Sequence, residues 1–387
     1  MTREEYREAL LTVARLASDA INGRIPDAAR VEETDLPTLY QAADRHQLTG
    51  IVGLALESAG VRDRAFMEAV GKAVRREAVF DVECAAVLAG LEKAGVWYMP
   101  LKGQLLKRLY PRMGMRQMAD VDILFDASRA ADARAVMEGL GFTTGKQYGI
   151  GVHDSFDKPP ICHFELHRTL FSESQNNRFY VYYRNVKDRL LPDGTHTFGY
   201  RFSDEDFYVY ITAHEYKHYS IYGTGLRSLL DTYVYVTKKP SLDWDYIKGE
   251  LDKLGIAEFE EQTRGLALRL FRCEPLTERD RGILDFYLSS GTYGTVSNGV
   301  KIRIGKDKGK RFKKLRYVFR RLFLPIRTVK ATFPLFIRLP FLLPFLPVYR
   351  LFRGMKHNKK ALMTEWKTLK SGCDNDSSPS EFGGTKD

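Results

Sequence analysis

Cysteine is scarce in this chain, which holds four in 387 residues and no CxxC pair. Disulfide-rich secreted domains and thiolate zinc sites both need several cysteines at defined spacing. The sequence therefore argues against both classes and favours reduced thiols in a cytoplasmic protein. The four residues are far apart, at Cys84, Cys162, Cys273 and Cys373.

Long apolar runs are also lacking. The first residues, MTREEYREALL, carry charges throughout and contain no apolar segment of the kind found in a secretory signal peptide. The most apolar stretch, residues 333–349, is interrupted by Arg338 and by four prolines. It is too short and too broken to predict a membrane-spanning helix.

Acidic residues are nearly absent from residues 301–360, which contain 19 Lys/Arg and a single acid, Asp307. This segment carries a charge of +18, and because the whole chain carries +11, the remainder carries −7. The basic pI therefore describes one late segment and does not by itself indicate nucleic-acid binding.

Three interpretations of the basic segment 301–360 are open. Its apolar part packs on the rest of the chain, or the segment makes a peripheral contact with anionic lipid at the inner membrane surface, or it binds RNA. Packing is favoured, since the acidic remainder offers an intramolecular partner. The prolines between 334 and 347 would also break a simple interfacial helix.

Periodicity predicts an α/β (α+β) fold in which a small mixed sheet is embedded in N- and C-terminal helical regions. The Gly- and Lys-rich residues 291–309 predict a linker. The predicted regions are 1–95, helical; 96–202, alternating strands and helices that form the catalytic core; 203–298, helical; 299–366, basic and amphipathic; and 367–387, polar and disordered.

The sequence ADVDILF (residues 119–125) alternates polar and apolar residues like a strand. Asp120 and Asp122 would share one face of that strand, where two carboxylates repel each other unless a cation lies between them. Such oxygen ligands suit Mg²⁺ bound together with phosphates. A solvated strand edge is the alternative for the two aspartates alone. Glu165, on a second alternating strand, would supply a third carboxylate, and His167 shares its face.

A turn upstream has features of a phosphate-binding site. The apolar strand signal at 96–101 runs into Lys102, Gly103 and Gln104, and a helix follows. A glycine at such a turn lets the backbone approach a phosphate, and the helix N-terminus offers free N–H groups. Lys102 and Arg116 would balance triphosphate charge.

The segment LKGQLLKRLYPRMGMRQMADVDILFD (residues 101–126) resembles the signature of the uncharacterised nucleotidyltransferase family, a branch of the polymerase-beta-type nucleotidyltransferase superfamily. Later family motifs resemble Glu165-Leu166-His167, Lys217-His218 and Leu226-Arg227 with Asp231. The resemblance covers most of residues 30–355.

This resemblance implies a polymerase-beta-type core and a Mg²⁺-dependent enzyme that moves a nucleoside monophosphate from an NTP to an acceptor hydroxyl. Two Mg²⁺ ions, with Mn²⁺ as an alternative, would be held by Asp120, Asp122 and Glu165. The acceptor stays open between a protein side chain, a sugar, an RNA end and a small molecule. The residues implied to contact the NTP are Lys102, Gly103, Gln104, Arg116, His167, Lys217 and His218.

Two other functions remain as alternatives. The usual Gly-Ser turn of the superfamily is Gly103-Gln104 here, which leaves room for a catalytically altered pseudoenzyme that binds a nucleotide or a partner. His214-Glu215-Tyr216-Lys217-His218 matches the HExxH pattern of zinc peptidases, whose two histidines share a helix face. No third-ligand pattern follows closely, so this alternative is remote.

Overall fold

The structure is a computed structural model. The chain divides into two compact units. The structure describes residues 2–32, 34–145, 148–149, 151–173, 177–305, 312–326, 329–330 and 333–370. Of these, the first unit holds residues 2–216 and 226–281, and the second holds residues 217–225 and 282–370.

Five helices precede the sheet, and side-chain caps set where several of them begin. They are α1 (Arg3–Ile21), α2 (Ala28–Glu32), α3 (Leu36–Arg45), α4 (Thr49–Ser58) and α5 (Arg64–Lys93). Thr2 and Glu5 form a reciprocal capping box at the start of α1. Asp35 and Asp63 accept from backbone N–H groups at the starts of α3 and α5. These caps satisfy donors that the first turn of a helix leaves free.

A five-stranded mixed sheet follows. Its elements in chain order are β1 (Tyr98–Pro100), α6 (Gly103–Leu106), β2 (Val121–Phe125), α7 (Ala130–Gly139), β3 (Thr143–Thr144), β4 (His153–Lys158) and β5 (Cys162–His167). The strand order is β1-β2-β5-β4-β3, with β2 and β5 parallel and the other pairs antiparallel. The predicted α/β class, with a small mixed sheet embedded in helical regions, is confirmed.

One face of this sheet packs against α5. Val121 and Ile123 of β2 and Phe164 of β5 lie in one buried cluster with Phe80 of α5. The Phe164 ring centroid is 6.4 Å from that of Phe80 and 4.9 Å from that of Phe142. Because side chains alternate along a strand, the residues between these apolar positions point to the opposite face of the sheet.

Helices make up most of the remaining chain. The further elements are α8 (Asn177–Tyr183), β6 (Leu191–Pro192), β7 (Tyr200–Arg201), α9 (Asp204–Tyr219), α10 (Leu226–Lys238), α11 (Trp244–Leu254), α12 (Ala257–Phe271), α13 (Glu278–Ser290), α14 (Val296–Gly305), α15 (Lys313–Leu322), α16 (Pro334–Arg338), α17 (Leu346–His357) and α18 (Lys359–Lys370). Within the described ranges, no helix has the length and apolar content needed to cross a membrane.

The prediction of a linker at residues 291–309 is wrong for much of that range, because α14 occupies Val296–Gly305. Val300 and Ile304, one turn apart on α14, are buried together with Tyr317. This tertiary packing outweighs the low helix propensity of glycine. The predicted region boundary at 298/299 therefore falls inside a helix. Residues 367–370, the start of the predicted disordered tail, belong to α18. The rest of that predicted tail, residues 371–387, lies outside the described residues.

Gly50 of α4 lies against the loop that leads to β2, and we expect Gly50→Ala to destabilise the protein. A Cβ at this position would meet the backbone carbonyl oxygen of Gly114, which cannot rotate away as a side chain could. Overpacking of this kind costs about 1–3 kcal/mol. Gly249 on α11 is the matched control, since a Cβ there meets nothing within 4 Å. Gly249→Ala should raise stability by about 0.5–1 kcal/mol. Urea unfolding midpoints measure both changes, and a stabilised Gly50→Ala variant would contradict the close approach.

Candidate functional site

Two of the predicted carboxylates lie side by side in the sheet. Asp122 of β2 pairs in register with Glu165 of the parallel strand β5, and paired residues of neighbouring strands point to the same face. His167 Nε2 is 2.7 Å from Asp122 Oδ1 and 3.4 Å from Glu165 Oε2. One imidazole therefore lies against both carboxylates, on the face opposite the buried core.

These three groups shift one another's pKa. Burial would raise the pKa of Asp122, but the Lys102 charge and the His167 hydrogen bond lower it overall. Burial would also raise the pKa of Glu165, and the hydrogen bond from His167 again lowers it overall. Burial would lower the pKa of His167, but its hydrogen bond to Asp122 raises it overall. Both carboxylates are therefore held in the ionised form that binds cations.

Asp120 directly precedes β2 and is half-buried. Burial raises the pKa of its carboxyl group, and the negative charges of Asp122 and Glu165 raise it further. Lys102 lowers it only in part. The structure thus brings the three predicted carboxylates into one electrostatic neighbourhood, while their roles in metal binding and catalysis stay predictions.

Lys102 supplies a cation at this cluster. Its Nζ lies 3.3 Å from Asp122 Oδ2. Burial would lower the pKa of Lys102, but the charge of Asp122, followed by Tyr210 and Asp120, raises it overall. Its backbone has φ +34°, in the left-handed region that favours glycine. A non-glycine residue in this conformation costs about 1–3 kcal/mol. This backbone strain lies at the residue whose ammonium group contacts Asp122.

The next two residues of the predicted phosphate turn are closely packed. A Cβ at Gly103 would meet Met118 Cε at 3.0 Å and Arg116 Nη1 at 3.1 Å, so a larger residue here would require those two side chains to shift. Gln104 is buried, and its Nε2 makes no hydrogen bond among the described residues. Their predicted contacts with nucleotide phosphates stay predictions.

Arg116 is engaged by a carboxylate from α10. Its Nε and Nη2 donate to Asp231 Oδ1 and Oδ2 at 2.7 and 2.9 Å, and Tyr110 Oη donates to Asp231 Oδ1 at 2.7 Å. Burial would lower the pKa of Arg116, but the charge of Asp231 raises it overall. The bidentate pair favours a structural role for this guanidinium group, and its phosphate contact stays a prediction.

The end of α9 carries the other predicted site residues. Glu215 is buried, His214 and Lys217 are half-buried, and His218 is exposed. Within the described part of the chain, neither histidine belongs to a group of three side chains that could hold a metal ion. A HExxH zinc site needs such a third ligand, so the peptidase alternative gains no support. The NTP contacts predicted for Lys217 and His218 stay predictions.

His153 was missed by the sequence reasoning. It lies on β4 in register with His167, and the two ring centroids are 5.1 Å apart. Its Nδ1 is 3.4 Å from Glu165 Oε2. The alternation in β4 and the Pro159-Pro160 turn before β5 were the available signals. They identify His153 only once the antiparallel pairing of the two strands is known.

Comparisons with known proteins identify one family. The sequence matches the family described as "Uncharacterised nucleotidyltransferase" over residues 32–272, which include the three carboxylates. Among solved structures, the solution structure of the antibiotic-resistance factor ANT(2'')-Ia is similar at 13% identity, with a TM-score of 0.24 and coverage of 49% of this chain and 89% of that chain. No curated protein matches the sequence significantly.

Proposed function

The chain belongs to the uncharacterised nucleotidyltransferase family, and from this premise we propose that it moves a nucleoside monophosphate from an NTP to an acceptor hydroxyl in a divalent-metal-dependent reaction. The observation that carries this proposal is the register pairing of Asp122 with Glu165 on parallel strands. Asp120 lies two residues before Asp122. This arrangement supports the binding of a phosphate-bound cation by the three carboxylates.

The residues present fit a divalent ion. The pKa of Asp120 is raised first by burial and then by the charge of Asp122, so a cation between these two groups would relieve an existing repulsion. Asp120 and Asp122 would hold Mg²⁺ together with NTP phosphates, and Glu165 would hold a second ion. Ions bound there would supply activation of the acceptor hydroxyl and charge neutralisation at the leaving pyrophosphate.

Lys102 has a separate role in the proposal. Without substrate, its ammonium group pairs with Asp122 at 3.3 Å. With an NTP bound, the same ammonium group would donate hydrogen bonds to triphosphate oxygens. Lys102 directly precedes α6, whose first two residues are Gly103 and Gln104.

A labelling screen tests the proposed function. The full-length protein is incubated with Mg²⁺ and each of four α-labelled NTPs, alone and with candidate acceptors. The products are then separated into protein, RNA and small-molecule fractions. Transfer of label that requires Asp120 and Glu165 supports the proposal and identifies both base and acceptor. NTP binding without transfer to any acceptor would instead support the pseudoenzyme alternative.

We expect Lys102→Met to weaken NTP binding by about 10- to 100-fold, because a hydrogen bond to a charged group contributes about 1.5–3 kcal/mol. The variant keeps most of the length of the side chain and removes its ammonium group. Lys248→Met is the control, since Lys248 is exposed on α11. Calorimetric titration with a non-hydrolysable NTP measures the change. Equal affinities of Lys102→Met and the parent would show that Lys102 has only a structural role.

The helix α15 of the second unit is amphipathic on its described surface. Tyr317 is buried with Val300 and Ile304. Leu315 and Phe319, one turn apart on another side of the helix, are 66% and 61% exposed. Large exposed apolar residues continue beyond α15 at Phe323, Ile326, Leu335, Leu339, Phe341, Phe345, Val348, Tyr349, Leu351, Phe352 and Met355. Residues 301–360 combine these exposed apolar side chains with a charge of +18. This combination supports contact with an anionic membrane surface. We propose that contact in place of the packing of the segment on the rest of the chain.

We expect the full-length protein to float with vesicles that contain anionic phospholipid and not to float with vesicles of neutral phospholipid. Leu315→Glu/Phe319→Glu should weaken binding at least about tenfold, since burial of each such side chain contributes about 1.5–3 kcal/mol. Val82→Glu is the control, because Val82 is 71% exposed on α5 of the first unit. No flotation of the parent protein, with a salt-dependent shift of RNA in a gel, would favour the RNA interpretation instead.

A further inference from the structure

Three side chains able to bind a metal ion lie together next to the two aspartates. His153, Glu165 and His167 each offer one ligand atom, and these atoms all lie within 4.8 Å of one another. His153 is the register partner of His167, and Glu165 lies two residues before His167. All three therefore project from the same face of the β4–β5 pair, and strand pairing holds their spacing.

Two of the distances in this group match the edges of a coordination shell. His153 Nδ1 and His167 Nε2 are each 3.4 Å from the same oxygen, Glu165 Oε2. Two donors that each lie about 2.1 Å from one metal ion, at tetrahedral or octahedral angles, are about 3.0–3.4 Å apart. His153 Nδ1 is also shielded from solvent and makes no hydrogen bond within the described residues.

The chemistry of the donors decides which ion they would select. Mg²⁺ prefers oxygen ligands and retains several waters. Imidazole nitrogens suit first-row transition metals, and a set of two histidines and one carboxylate is found at zinc and ferrous sites. This donor set therefore differs from the all-oxygen pair formed by Asp120 and Asp122.

We infer that His153, Glu165 and His167 form a transition-metal site, which takes Mn²⁺ or a similar first-row ion in preference to Mg²⁺. The inference rests on the proposed function in one respect, because the ion at this site is the second ion of the transfer reaction. Coordination replaces the hydrogen bond between His167 Nε2 and Asp122 Oδ1, since a ligating imidazole carries no proton on that nitrogen. Glu165 is then the residue that links the imidazole group to the aspartates.

Mn²⁺ binding to the metal-free full-length protein tests this inference. Continuous-wave electron paramagnetic resonance measures free and bound Mn²⁺, and pulsed measurements detect ¹⁴N coupling from ligating imidazole. We expect ¹⁴N coupling in the parent protein and retention of Mn²⁺ in excess Mg²⁺. His153→Gln should weaken Mn²⁺ binding at least about tenfold and reduce the coupling. His163→Gln is the matched control, because His163 Nε2 lies 3.7 Å from the other oxygen, Glu165 Oε1, and His163 is outside the group. It should leave Mn²⁺ affinity unchanged.

The outcomes separate this inference from the proposed function. Bound Mn²⁺ without ¹⁴N coupling in the parent protein overturns the imidazole site, even if an acceptor is still labelled from an α-labelled NTP. Equal losses of Mn²⁺ affinity in His153→Gln and His163→Gln overturn it as well. Retained ¹⁴N coupling with no labelling of any acceptor leaves the metal site in place and counts against nucleotidyl transfer.

Discussion

Asp120→Asn is expected to abolish nucleotidyl transfer and, at the same time, to raise the thermal stability of the metal-free protein. Loss of one metal ligand removes several kcal/mol of charge stabilisation in the transition state, so the rate should fall by at least about 10³-fold. The stability change has the opposite sign because the pKa of Asp120 is raised by burial and by the charge of Asp122. An acid whose pKa is raised on folding destabilises the fold once the pH exceeds its ordinary pKa, and asparagine removes that cost.

Asp122→Asn provides the contrast. The pKa of Asp122 is lowered overall by Lys102 and His167 despite its burial, so its charge stabilises the fold at neutral pH. The variant should lose transfer as Asp120→Asn does, but its melting temperature should fall. Asp132→Asn, on the exposed pair between Arg129 and Asp132, should change neither property appreciably. Retained transfer in Asp120→Asn would remove this residue from the proposed metal site.

Asp231→Ala is expected to destabilise the first unit by about 3–5 kcal/mol, because it leaves a buried guanidinium group without its partner. Arg116 is 8% exposed and makes both of its short contacts with Asp231 at 2.7 and 2.9 Å. The hydroxyl of Tyr110 also loses its acceptor. Asp132→Ala is the control, since removal of an exposed ion pair costs at most about 1 kcal/mol. Urea unfolding followed by circular dichroism measures both.

A double variant separates the structural and substrate roles of Arg116. Arg116→Met/Asp231→Leu replaces the buried pair by apolar side chains and should recover much of the stability lost in Asp231→Ala. NTP affinity at parental level in this variant would assign Arg116 to the fold alone. Recovered stability with weakened NTP binding would support the predicted phosphate contact. A double variant as unstable as Asp231→Ala would contradict the view that an unpaired buried charge is what destabilises the single variant.

The strands were predictable where their signal is local. The alternation in residues 119–125 and 161–167 corresponds to β2 and β5, because side chains at every second position of a strand lie on the same face of the sheet. α14 shows the opposite case. The glycines and lysines of residues 291–309 indicate a linker, and the burial of Val300 and Ile304 against Tyr317 explains why α14 is a helix. Local composition contains no information on a partner that lies farther along the chain.

The sequence by itself determined the chemistry that is available: two aspartates at i and i+2, a glutamate on a second strand, and a family signature around them. The tertiary structure decided which of these groups meet. The parallel pairing of β2 with β5 places Asp122 beside Glu165, and the antiparallel pairing of β4 with β5 adds His153. The tertiary structure also pairs Arg116 with the carboxylate of Asp231 from α10. The physical reason is range, since periodicity reports which face of an element is buried, whereas strand register and helix packing depend on contacts between residues distant in sequence.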